Sequence, residues 1–303
     1  MIGFYDNLHL MLWGIHEVVP HLENVVQKFS ASGELIGVHG GYKGLRVGVF
    51  NNGTSIIGSL AKFLNGGSNI VPLDTCSMQE ALVKLSDGLH IDVSIAQVTS
   101  VEFGMQFPMT EAVGAYLSRL GDLTKFNRST LSEGNLESLY YEQSTKKLKF
   151  YDKGQEARCK GISLPDQWCH LLKYELTLTR RLKRFFGFTP LAADLCDREN
   201  YRRLAMLWRD IYHRIEKQKI PIMNEEGKKL TSKTFYGLLS SFAIGQLDKD
   251  FVLGFIENAK AMGMERKELY RLRQLIKKAA GDSEPDELMN ELDDCIDNAV
   301  AYL

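Results

Sequence analysis

The stretch LKFYDKGQEARCKG, Leu148 to Gly161, settles what kind of fold this chain has. Leu148 and Phe150 alternate with Lys149 and Tyr151, the two-residue period of a half-buried strand, and Gly154 stops the run. Tyr151 therefore stands at the mouth of a strand, with Asp152 and Lys153 directly after it. Read alone, such a tyrosine is most simply an interface aromatic with its hydroxyl in water. The sharper reading is a nucleophile beside a cation.

On either side of this stretch the same grammar recurs, up to about Leu178. Phe4–Leu12, Glu34–Val38, Leu45–Phe50, Thr54–Leu60, Ala96–Met105, Ser138–Glu142, Lys147–Tyr151 and Leu172–Leu178 read as strands. Asn51, Asn52 and Gly53 read as a hairpin turn whose residues supply positive φ. Ser77–Asp87, opened by a Ser cap with Glu80 three residues on, and Met109–Leu120 read as helices. From Pro190 onward the pattern is helical, over 197–219, 233–244, 248–262, 266–279 and 285–302. The expectation is an α+β fold: an antiparallel sheet with helices packed on one face over residues 1–188, then an all-α part over 189–303.

The chain has 303 residues, 44% hydrophobic, enough for one large or two ordinary cores. Its start has no basic leader before the apolar stretch, which Asp6, His9 and His16 interrupt, and no window offers eighteen uninterrupted apolar residues, so neither export nor a membrane span is expected. Five cysteines without a CxxC pair fit reduced thiols in a cytoplasm, and the C-x9-C-H spacing of Cys159, Cys169 and His170 matches no zinc pattern. The net charge of −1 conceals segregation: Lys146 to Arg184 holds eleven basic residues against four acidic ones, and beyond Gly281 eight acids stand without a Lys or Arg. Two solvated faces would explain this. So would a phosphate-binding surface offset by an acidic tail.

Three segments carry the chemistry: His90–Gly104, Leu148–Glu156 and Leu171–Arg181. Each sets an ionisable residue on an apolar strand, Glu102 between Val101 and Phe103 and Glu175 between Tyr174 and Leu176, where a structural sheet prefers β-branched or aromatic residues. On antiparallel neighbours two such carboxylates can face one another and hold Mg²⁺ or Mn²⁺ through oxygen. Each alone reads more simply as a solvent-facing group paired with Lys173 or Arg180.

In order and spacing these segments resemble the gene II/X family of phage and plasmid rolling-circle replication initiators, the filamentous-phage gene II type of HUH-like nickase. The resemblance starts near SIIGSLAKFLNGGSNI (Ser55–Ile70), passes through Glu80-Ala81-Leu82, and covers roughly residues 45–195. The family's Tyr-x-Lys unit falls on Tyr151 and Lys153, its acid on Glu102, its Arg-aromatic-Glu strand on Lys173-Tyr174-Glu175, and RLKRFFGF (Arg181–Phe188) is similar as well. Ser100 and Lys173 stand where the family has Arg, which removes planar, bidentate clamps, and there is no His-x-His pair, only His39 and His90 as single ligands.

The resemblance implies a site-specific nickase and strand transferase. Tyr151 would attack an origin phosphodiester to give a 5′-phosphotyrosine and a free 3′ hydroxyl, assisted by Lys153 and a metal on Glu102 and Glu175. Lys149, Lys173, Arg180, Arg181, Lys183 and Arg184 would bind the single-stranded or origin DNA, and host helicase and polymerase would take over the nicked strand. Asp92 and Asp152 are further ligand or orienting residues, and Tyr140 or Tyr141 would serve a second transfer if not simply a cross-strand pair. The helical part is either a cap that finishes the core or a duplex reader built on Arg266, Lys267, Arg271, Arg273, Lys277 and Lys278. A sequence-specific DNA-binding protein on the same fold that does not nick is the alternative to the nickase, and a metal-dependent hydrolase with Tyr151 only stacking on a base is a third reading.

Overall fold

The computed structural model describes residues 3–133, 136–162, 164–165, 168–217, 236, 240, 243, 249–281, 286–301 and 303. Among the described residues ten strands form one sheet: β1 (Tyr5–Trp13), β2 (Glu23–Phe29), β3 (Leu35–Tyr42), β4 (Leu45–Phe50), β5 (Gly53–Ser59), β6 (Gln97–Pro108), β7 (Asn127–Glu133), β8 (Leu136–Gln143), β9 (Lys146–Asp152) and β10 (Leu171–Thr179). Their order is β2-β3-β4-β5-β1-β6-β10-β9-β8-β7, and every pairing is antiparallel. The helices are α1 (Leu60–Leu64), α2 (Thr75–Leu89), α3 (Val113–Leu117), α4 (Lys153–Cys159), α5 (Leu182–Phe186), α6 (Arg198–His213), α7 (Lys249–Ala261), α8 (Arg266–Gly281) and α9 (Glu287–Ala301). The expected α+β class, antiparallel sheet and helical C-terminal part are all present. Of the expected helices, 109–120 shrinks to α3, 197–219 ends at His213, and 233–244 lies largely outside the described residues.

Two expectations are corrected in detail. The cap of α2 is Asp74, whose carboxylate accepts from the Ser77 backbone N–H at 2.8 Å while Ser77 Oγ accepts from the Asp74 N–H at 2.8 Å, so Ser77 is the inner half of a capping box. The β4–β5 hairpin forms, but none of Asn51, Asn52 and Gly53 has positive φ. Gly53 is required there by proximity instead, since a Cβ on it would lie 2.6 Å from the Leu12 carbonyl oxygen.

The chain divides into two compact units, residues 1–216 with 291–303, and residues 217–290. The boundary expected after residue 188 thus falls inside the first unit. The reason is aromatic: Trp208 of α6 stacks on Tyr174 of β10 at 4.7 Å, Tyr174 stacks on Phe150 of β9 at 4.2 Å, and all three are buried. Tyr212 and Leu204 of α6 and Leu292 and Ile296 of α9 are also buried, which completes this side of the core. The acids at the end of the chain are part of that packing. Asp293 accepts from the Tyr212 hydroxyl at 2.6 Å, Asp297 lies 2.9 Å from His213 Nε2, and Glu291 accepts from Thr110 and Tyr116. Among the described residues no helix is long and apolar enough to cross a membrane, and all five cysteines are free.

Candidate active site

Strand β10 is buried on both faces. Leu172, Tyr174, Leu176 and Leu178 alternate onto the aromatic side, which sends Lys173, Glu175 and Thr177 to the other face. An ion buried there needs partners, and β1 and β6 supply them. Tyr5 pairs with Phe103 and Leu8 with Val101, so β1 spans three residues where β6 spans two. This bulge turns both Asp6 and Asn7 toward the face that carries Glu102 and Glu175.

The result is a compact ionic cluster. Lys173 Nζ lies 2.7 Å from Asp6 Oδ2 and 2.7 Å from Glu175 Oε1, with its side chain 0% exposed. Carboxylate oxygens of Asp6, Glu102 and Glu175 all lie within 4.8 Å of one another. Glu102 accepts from Asn7 Nδ2 and, at 3.1 Å, from the Thr177 hydroxyl. Asp6 also accepts from Ser59 Oγ at 2.5 Å and from Asn69 Nδ2 at 2.8 Å. Three carboxylates against one ammonium leave the cluster short of positive charge. Burial, and then the charge of Glu175, accordingly push the Glu102 carboxyl up to about 7. Burial works the same way on Asp6, but the Lys173 ammonium and the bonds from Lys173, Ser59 and Asn69 outweigh it and hold that carboxyl below its usual range.

Tyr151 joins this cluster. Its hydroxyl donates to Glu175 Oε1 at 3.1 Å, and its side chain is 3% exposed. Lys149 Nζ sits 4.0 Å and Lys153 Nζ 5.9 Å from its ring centroid. Burial, with the neighbouring charges of Glu175, Glu156 and Asp6, pushes the phenol far above its ordinary range. Lys153 opens α4, which Asp152 caps by accepting from the Gln155 N–H at 2.7 Å. Its ammonium bonds Glu156 at 2.8 Å and Asn69 at 3.1 Å, while burial and the charge of Lys173 hold its pKa below the usual lysine range.

The structure therefore brings Tyr151, Lys149, Lys153, Glu102, Glu175 and Lys173 together. Lys173, expected on the DNA surface, is instead fully buried between two acids, because β10 is covered on both faces. Arg180, Arg181, Lys183 and Arg184 are exposed, but Arg180 lies seven residues along the chain from Lys173, roughly 23 Å of extended strand. Asp92 caps the turn at Val93–Ile95, and His90 ends α2 with its ring 4.5 Å from His21. His39 is on β3, separated from β6 by three strands, so neither histidine joins the carboxylates. Tyr141 faces the core and donates to the Gly121 carbonyl at 2.6 Å, whereas Tyr140 stands opposite Lys149, whose ammonium is 5.9 Å from its ring.

Sequence reading missed Asp6, Asn7 and Asn69. The rule that singled out Glu102 and Glu175, an acid inside an apolar strand, applies equally to Asp6 in FYDNLHLML.

Fold and site together define a class: an α+β protein whose large antiparallel sheet carries a buried acidic cluster beside a tyrosine. Residues 44–190, a segment that holds Glu102, Tyr151, Lys153, Lys173 and Glu175, match the family model for the N-terminal part of the gene II replication-associated protein. No curated protein matches the chain. Among solved structures, one described as the rolling circle replication initiator protein from Geobacillus stearothermophilus is similar over 78% of this chain and 94% of that one, at 10% identity and a TM-score of 0.42.

Proposed function

We propose that the protein initiates rolling-circle replication by nicking one strand of origin DNA, with Tyr151 as nucleophile. The observation that carries this is the 3.1 Å hydrogen bond from the Tyr151 hydroxyl to Glu175 within the cluster of three carboxylates. Because the phenol is held far above its ordinary pKa, no phenolate is stored in the resting site. The proton leaves as the hydroxyl oxygen attacks phosphorus, and Glu175 is placed to take it. The P–O3′ bond breaks, the 3′ oxygen takes a proton from water and leaves as a hydroxyl, and the 5′ phosphate remains esterified to Tyr151. Lys149, directly over the ring, offsets charge that builds on the phenolic oxygen. The free 3′ hydroxyl is what a host polymerase would extend.

The donor set fits a hard divalent cation. Asp6, Glu102 and Glu175 are all oxygen ligands, and the elevated Glu102 carboxyl marks a site short of positive charge. Bound Mg²⁺ or Mn²⁺ would supply Lewis-acid stabilisation of the phosphoryl oxygens. Tyr151 is nearly inaccessible, so a DNA strand reaches it only after the packing around its hydroxyl opens.

That same burial favours a second reading, a protein that binds DNA on this fold without cutting it. Incubating the protein with single-stranded oligonucleotides tiled across the DNA flanking its gene, with Mg²⁺ or Mn²⁺, separates the two. A covalent adduct on the peptide containing Tyr151, absent in Tyr151→Phe while DNA binding persists, is the expected outcome. Salt-sensitive binding with every oligonucleotide left intact would establish the second reading, and nicking by Tyr151→Phe would remove Tyr151 from the chemistry.

A further inference from the structure

The second unit, residues 217–290, has its own chemistry, and it lies outside the family match. Helix α7 ends in a Schellman stop. Gly263 has a φ of +88°, its N–H donates to the Lys260 carbonyl at 3.1 Å, and the Met264 N–H donates to the Ala259 carbonyl at 3.1 Å. A side chain at position 263 would be strained at that φ, so glycine is what allows the chain to reverse there. Helix α8 begins almost at once, its first backbone bond running from the Leu269 N–H to the Glu265 carbonyl at 2.9 Å. Two helices thus meet through the four residues Met262–Glu265, a short turn that contains glycine.

The faces of α8 are sorted. Leu269 is buried and Leu272 half-buried, one turn apart, and Ile256 of α7 is buried too. On the opposite side Arg266, Lys267, Tyr270, Arg271 and Gln274 are all exposed, at the one- and four-residue steps of a single helix face. The helix holds six basic residues and one acid, in a chain whose net charge is −1. Its nearby ion pairs, Arg271 with Glu268 at 2.5 Å and Arg273 with Glu257 at 3.9 Å, are solvent-exposed and weak enough to yield to phosphate.

We propose that α7 and α8 form a helix-turn-helix that seats α8 in the major groove of duplex DNA. Sixteen residues make a rod about 24 Å long, and the groove, about 12 Å wide, admits one helix. Arg266 and Lys267 at the start of α8 contact phosphates and set register. Arg271 and Gln274 reach base edges, where guanidinium and amide groups distinguish guanine and adenine. This rests on the reading of the protein as one that acts at a DNA origin, and it divides the work: the sheet unit treats one strand, the helical unit locates the duplex.

Selection of duplexes from a random pool by the full-length protein, followed by binding of the enriched duplex, a scrambled duplex and a single strand at two salt concentrations, tests it. The expected result is a preferred duplex, with Gln274→Ala and Arg271→Ala each weakening that preference by about tenfold, and with adduct formation on single strands unchanged. No preferred duplex, as an α8 that docks on an acidic protein would give, overturns the inference. So does a preference that survives the triple variant Arg266→Ala/Arg271→Ala/Gln274→Ala. If the preference is lost in that variant while the parent makes no Tyr151 adduct, the duplex reader stands and the nickase reading falls.

Discussion

Glu156 lies on the first turns of α4 between two ammonium groups, Lys153 at 2.8 Å and Lys160 one turn on. Burial raises its carboxyl, but the hydrogen bonds and charges of those lysines prevail and hold it down at about 2. A carboxyl depressed on folding adds stability above its unfolded pKa and loses it as the pH falls through the folded one, so the contribution fades between roughly 4.5 and 2. Glu156→Gln is expected to lower stability by on the order of 1–2 kcal/mol at pH 7, after solvent screening, and to match the parent near pH 2. Denaturant melts across that range measure it, and a difference independent of pH would refute it. Individual residues were unevenly legible. Glu102, Glu175 and Tyr151 stand out as ions or a hydroxyl on apolar strands, Lys153 follows directly on the strand of Tyr151, and the structure gathers all four. Asp6 carries the same signal, an acid inside an apolar strand, but the bulge that turns both it and Asn7 to the face of Glu102 and Glu175 is not encoded by any alternation pattern. Lys173 was placed in solvent because burial of β10 on both faces is a property of the sheet, not of the strand's own residues.

Elements were legible where burial imposes a period. The strands with one face or both in the core were read with ends off by a few residues. The edge strands β2 and β7 were not, since β2 is exposed along its whole length and Asn127–Leu131 of β7 are exposed as well, which leaves no alternation to see. Close approach of strands is equally invisible before pairing is known. Gly104 of β6 pairs with Glu175, and a Cβ on it would fall 2.1 Å from the Tyr174 carbonyl oxygen and 2.7 Å from the Glu175 Cα. Both are backbone atoms and cannot swing away. Gly104→Ala should therefore push β6 from β10 beneath the carboxylates, costing about 1–3 kcal/mol or more and weakening divalent-ion binding at the same site. Calorimetric melting and Mn²⁺ titration of the variant would show both losses. An unchanged melt would mean that the strands are not held this closely.

Taken from end to end, the chain leaves the sheet unit after residue 216 and returns to it at 291. The boundary expected after residue 188 missed this, because a strand-to-helix change of grammar does not reveal which helices roof the sheet; Trp208 on Tyr174 does. Leu292 and Ile296 are fully buried, and Glu291, Asp293 and Asp297 tie α9 to Tyr116, Tyr212 and His213. Removing residues 291–303 should cost about 4–8 kcal/mol from apolar burial, comparable with the net stability of a typical domain. Urea unfolding of the shortened chain is expected to lose its cooperative transition, whereas an unaltered midpoint would show α9 to be dispensable. The return of the chain also has a consequence for synthesis. A ribosome makes α9 after everything else in both units, so the roof over the sheet closes only when residues 291–303 have emerged. Premature termination anywhere before them would leave the aromatic side of the sheet without the burial that Leu292 and Ile296 supply.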